Sequence, residues 1–164
     1  MKPIPKKLPI LELIHRGDHS VTFFSIVAGT KIITGVADFG IKKVGNQPAF
    51  IVHFLEQTTK GKSAKTTRQL EGWKDAAMGH LEKIARERGC KLMLFSTAEE
   101  HSRSNNTDRP LHVELLETYG RLPMRHGFKL RSILPKNGED AAPNLWWRKT
   151  VTALDAYLQP KRLL

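Results

Sequence analysis

The chain of 164 residues contains a single cysteine, Cys90, and no CxxC pair. An internal disulfide and a thiolate zinc site are thereby excluded, and a reducing compartment is expected, here the cytoplasm. Cys90 directly follows Gly89 at the head of an apolar run and reads as a packing residue, not a nucleophile. The seven histidines (15, 19, 53, 80, 101, 112 and 126) show no ligand spacing, and His53 reads as a core or pleat residue. No run approaches the length of a membrane span, and the opening MKPIPKKLPI is too broken by proline to be the apolar centre of a signal peptide. Internal repeats and low-complexity tracts are also missing. Acidic residues are few: 16 Asp and Glu against 27 Lys and Arg give a net charge of +11. A surface of that sign attracts polyanions, so the expected partners are nucleic acid, a phosphate-bearing cofactor or an acidic protein.

What remains is ordinary for a globular protein: 40% hydrophobic and 26% charged residues, in a length suited to one domain with a real core. Residues 1–10 read as an extended arm, 11–158 as the domain and 159–164 as a basic tail. Leu11 to His15 predicts a short strand closed by a turn at Arg16-Gly17-Asp18. Val21 to Val27 and Lys31 to Thr34 are β-branched and aromatic, with a hairpin turn at Ala28-Gly29-Thr30. The second run continues past a bulge at Gly35 to Ile41, and Val44 to Pro48 turns the chain into a strand over Ala49–Leu55.

The segment from Asp75 to Gly89 is helical by pattern. Ala77, Leu81, Ile84 and Ala85 form one apolar stripe, and Gly89 supplies the stop. Lys91 to Ser96 is a short buried strand, which completes a strand–helix–strand unit. The loop feeding the helix carries Lys60, Lys62, Lys65 and Arg68 against Glu71, and Gly72 stands in the turn. A helix N-terminus offers unpaired N–H groups and partial positive charge, so this junction is a candidate anion site; a plain turn with a solvated basic loop is the other reading of the same residues. Thr97 to Pro110 reads as a long polar loop, Leu111 to Tyr119 as a helix ended by Gly120, and Gly127 to Leu134 as a strand. Leu145 to Val151 would close the sheet, with Trp146 and Trp147 on opposite faces, and Leu154 to Leu158 would add a helical turn.

This order, with Gln69-x-x-Gly72-x-Lys74 at the helix start, Ala85-Arg86-Glu87-Arg88-Gly89-Cys90 at its end and His126-Gly127-Phe128-Lys129 later, resembles the GNAT superfamily of N-acetyltransferases. The resemblance spans residues 49–151, and the N-terminal third follows in outline. It implies an α+β fold: a mixed, mostly antiparallel sheet of six or seven strands, a central cofactor helix and a second late helix. Residues 11–31 leave little room for the two helices that shape the acceptor site in the family. Acetyl-CoA would be the cosubstrate, with Gln69, Leu70, Gly72, Trp73 and Lys74 around its pyrophosphate. Lys62, Lys65 and Arg68 would meet the nucleotide phosphates. The pantetheine arm would lie where the 49–55 strand splays from the 91–96 strand.

The resemblance further implies Glu56 as general base and Tyr119 as the acid that protonates the leaving thiolate. The sequence departs from the family pattern in three places. Lys74 replaces a second Gly or Ala, a basic insertion precedes Gly72, and Pro123 stands where an ungapped match would put the tyrosine. Two functions follow. One is acetyl transfer to a macromolecular amine, a protein lysine or N-terminus or an aminoacyl-RNA. The alternative is a GNAT-like basic protein without chemistry that binds nucleic acid or regulates a partner protein.

Overall fold

The computed structural model describes residues 3–4, 7–27, 29–58, 71–97, 121–134 and 144–151. Its elements are β1 (Leu11–His15), β2 (Ser20–Val27), β3 (Thr30–Val44), β4 (Gln47–Gln57), α1 (Trp73–Glu87), β5 (Leu92–Thr97), α2 (Arg121–Arg125), β6 (Lys129–Leu134) and β7 (Asn144–Thr150). The seven strands form one sheet in the order β1-β2-β3-β4-β5-β7-β6, antiparallel throughout except for β4 against β5. This is the mixed, mostly antiparallel α+β architecture expected.

Alternation sorts the strands into two faces. On one face Phe23, Phe39, Phe50, Val52, Met93, Phe95 and Trp147 are buried, and α1 lies over them with Trp73, Ala77, Met78, Leu81, Ile84 and Ala85. Phe39 and Phe50 stack at 4.7 Å between ring centroids across β3 and β4. The end of α1 is closed by two backbone bonds, Gly89 N–H to Arg86 O and Cys90 N–H to Ala85 O, which satisfy carbonyls that would otherwise be orphaned. Cys90 is 2% exposed, and burial pushes its thiol pKa up while Arg88 opposes weakly. It is a core residue, as its position in the sequence indicates. Burial, with Lys83 nearby, likewise lowers the pKa of His80 on α1.

The meander is as expected, with one bulge anticipated and one not. Phe23 opposes Gly35 and Phe24 opposes Ile33, so Thr34 is the extra residue beside Gly35. It is fully buried and donates its hydroxyl to Ser25 Oγ at 2.8 Å. In β4, Asp38 opposes Phe54 and Phe39 opposes Val52, which leaves His53 unmatched. β1 and β2 are joined through residues 16–19 alone, so no helix stands between them.

One expectation is corrected. Strand 144–150 does not close the sheet; it inserts between β5 and β6, and β6 is the edge. Trp147 explains why, since its indole is 1% exposed and needs neighbours on both sides. β6 suits an edge, because it carries Lys129 and a bulge at Arg131. The helix expected over 111–119, the loop before it, the last helical turn and the basic tail lie outside the described residues. Among the described residues no helix is long and apolar enough to cross a membrane, and no group of His, Cys, Asp or Glu could hold a metal ion.

Candidate functional site

The site begins where two strands part. β4 and β5 pair from Ala49↔Leu92 to Val52↔Phe95, yet β4 runs on to Gln57 and β5 to Thr97. Residues 53–57 therefore have no ladder partner on the β5 side among the described residues. The separation starts at the His53 bulge, and bulges bend and twist the strand that carries them. The result is a wedge, one wall of which is the β4 edge beyond the last β5 pair, and a strand edge is the kind of surface that binds an extended ligand carrying amide groups.

The N-terminus of α1 stands at the mouth of this wedge, tied there by Trp73. The Trp73 indole is 4% exposed, its ring edge lies against Gly35 and its Nε1 donates to Gln57 Oε1 at 3.4 Å. Gly72 caps the helix at φ 84 and ψ 2, a left-handed conformation that glycine adopts without strain. Among the described residues no side chain hydrogen-bonds to the cap. A helix start with a glycine at its cap is a candidate position for an anionic ligand.

An acid in the first turn bears on that field. Asp75 is 4% exposed, and Arg125 grips its carboxylate with Nε at 3.1 Å and Nη2 at 3.0 Å. His126 Nε2 lies 2.9 Å from Oδ1. The fork pairing sets a permanent positive charge against the carboxylate, so Asp75 does not oppose an anion at the terminus as a lone carboxylate would. It also fastens the start of α1 to the turn that leads into β6. Glu71 lies exposed in the turn before the helix.

The expected site residues divide into three groups. Gly72, Trp73 and Lys74 are at the helix start, but the Trp73 side chain is turned into the core, so only its backbone N–H can serve a ligand. Lys74 is exposed. Glu56 is exposed opposite Val36 at the far end of β4. Gln57 reaches Trp73 on the α1 side, so alternation puts Glu56 on the other face, with Phe54. Gln69, Leu70, Lys62, Lys65, Arg68 and Tyr119 lie outside the described residues.

Sequence reasoning missed the His53 bulge and the Asp75–Arg125–His126 cluster. The bulge has no marker, since β4 alternates without a Gly or Pro at that point. An acid in a first helical turn is ordinary, and its partners stand fifty residues away.

No family model matches the sequence, and no curated protein matches it. Solved structures do match in shape. A GNAT-family protein from Desulfovibrio desulfuricans superposes with TM-score 0.53 at 14% identity, covering 82% of this chain and 70% of its own. A protein from Salmonella typhimurium, solved with its cofactor acetyl-CoA, gives 0.49 at 15% identity over 81% of this chain and 64% of its own. The aminoglycoside 6'-N-acetyltransferase from Enterococcus faecium gives 0.47 at 17% identity over 83% and 77%. At such identities the likeness defines a fold, and the first match carries it. The chain has the GNAT fold, and no helix stands between β1 and β2.

Proposed function

We propose that the protein is an acetyl-CoA-dependent N-acetyltransferase whose acceptor is the amine of a macromolecule. The observation that carries this reading is the wedge between β4 and β5 with a helix start capped by Gly72 at its mouth. Together they match the two parts of CoA: an amide-bearing arm for the β4 edge where the strands part, and a pyrophosphate for the helix N-terminus. Gly72 lets the phosphates approach the backbone. The amides of Trp73 and Lys74 face them, and Lys62, Lys65 and Arg68 add charge from the preceding loop. Gln69 and Leu70, which precede Glu71 in sequence, are assigned to the same phosphates.

In the reaction the acceptor nitrogen attacks the thioester carbonyl carbon, and the C–S bond breaks as the C–N bond forms. Glu56, on the face away from α1, receives the proton lost by the amine, directly or through water. A main-chain N–H on the β4 edge at the His53 bulge donates to the carbonyl oxygen as it gains charge. Tyr119 returns a proton to the departing sulfur. Much of the rate comes from holding the thioester and the amine in register.

An open approach argues for a large acceptor. The four-residue link between β1 and β2 builds no wall beside the wedge, and Ile14, Ile26, Ile33 and Phe54 stay exposed. A small polycationic acceptor would be repelled by a chain of net charge +11. The test is incubation with acetyl-CoA and a mixed library of peptides with free N-termini and lysines, read by mass spectrometry. Acetylated peptides are expected, and Glu56→Gln should lower kcat/KM by about 100-fold or more while leaving acetyl-CoA affinity unchanged. Equal turnover by the variant removes Glu56 from the chemistry, and no product from either protein refutes the enzymatic reading.

A further inference from the structure

The end of the sheet opposite the wedge collects cations that the acetyl-CoA site does not use. β4 starts there, at the two-residue turn Gly45–Asn46, and so does β5, while β7 ends there. Lys42 opposes Ala49, Ala49 opposes Leu92, and Leu92 opposes Thr150. Lys43 follows Lys42, Lys91 precedes β5 and bonds Val151 N–H through its carbonyl, and Lys129 opposes Arg148. Five cations thus stand along one sheet end, and none of them has an ion pair among the described residues. Lys42, Lys43, Lys91 and Lys129 are exposed.

Their spacing is set by the sheet. From Lys42 on β3 to Lys129 on β6 there are four strand steps, so the row is about 19 Å long at ~4.8 Å per step. The nearby carboxylates do little to cancel it. Glu82 is held by Arg86 at 2.8 Å and by Lys149 at 2.9 Å, Glu87 lies 4.0 Å from Lys83, and Asp18 sits in the β1–β2 turn, where Arg88 donates to its backbone oxygen at 2.7 Å.

We infer that this row binds the phosphate backbone of a nucleic-acid duplex, at the end of the molecule away from the wedge. A protein partner is the poorer fit, because interface centres are depleted in lysine and four of the five cations are lysines. Single strands are held by stacking on exposed aromatic rings, and the Trp147 ring beside the row is buried. Backbone contact without stacking is the mode of duplex binding. The inference does not rest on the proposed acetyl transfer, since the row and the wedge share no residue.

The experiment is fluorescence anisotropy with a labelled duplex of about 20 base pairs, as RNA and as DNA, over a salt series. Five phosphate contacts predict a log–log salt slope of about −4. The variant K42E/K43E/K91E/K129E should bind the duplex at least about 100-fold more weakly with a slope near zero, while its acetyl-CoA affinity stays at the wild-type value. A control, K6E/K7E/K161E/R162E, changes net charge equally and should stay within about threefold of wild type. Preference for the RNA or the DNA duplex identifies the source of the backbone. The inference is overturned by a wild-type slope shallower than about −2, or by equal loss in the control. Equal competition from a polyglutamate peptide, or tighter binding of the single strand, overturns it as well.

Discussion

Gly35→Ala is expected to destabilise the fold by about 3 kcal/mol, at the upper end of overpacking costs. A Cβ built on Gly35 would lie 2.2 Å from Trp73 Cη2 and 2.6 Å from the backbone oxygen of Glu56. Neither neighbour can yield cheaply. The indole is sealed in the core and bonded to Gln57, and the oxygen belongs to the strand that forms one wall of the wedge. Urea denaturation reads the loss as a lower midpoint at unchanged slope. Trp73→Leu in the same background should recover part of it, because it removes the ring but not the Glu56 carbonyl. The coupling of the two changes in a double-mutant cycle then measures the Gly35–Trp73 contact. A cost for Gly35→Ala below about 1 kcal/mol would show that the indole does not lie over Gly35.

Arg125→Met should cost about 3–5 kcal/mol, the penalty for stripping a buried carboxylate of its partner. Asp75 is 4% exposed, and Arg125 makes both bonds of a fork to it. His126 remains within 2.9 Å but supplies one bond where three were. Adding Asp75→Asn should restore most of the stability, since the charge that needed a partner is gone while an amide of the same shape stays. Thermal unfolding of the four proteins of the cycle decides the matter. If Arg125→Met and the double variant are equally unstable, Arg125 contributes by packing and the ion pair does not matter.

Much of this fold is legible in the sequence because the deciding signals are local. The stripe of Ala77, Leu81, Ile84 and Ala85 places a helix on one face, and Gly89 ends it where two backbone bonds close the turn. The β-rich runs before Pro48 announce a meander whose turns and first bulge are where Gly and Asn put them. The place of β7 was not legible. Both late strands carry cations and apolar residues, and only the need of Trp147 for cover on both sides decides which becomes the edge.

The site was half legible. Gly72 and the helix after it mark a candidate anion site by chemistry that a single stretch contains. Trp73 carries no sign that its ring turns inward, because that depends on Gly35 leaving room thirty-eight positions earlier. The His53 bulge arises from a mismatch of register between β3 and β4, and the Asp75 cluster from the meeting of α1 with the turn before β6. Both are relations between segments and have no signature within either one.

The central claim is that the wedge and the α1 N-terminus hold acetyl-CoA. Calorimetric titration of the protein with acetyl-CoA and with CoA, beside the Gly72→Trp variant, tests it most directly. An indole at position 72 would meet the left-handed backbone, with φ at 84, and would fill the approach to the helix start. Saturable one-to-one binding by the wild type and none by the variant is expected, with the variant still folded by circular dichroism. Absence of binding by the wild type, or equal binding by a folded Gly72→Trp protein, would contradict it.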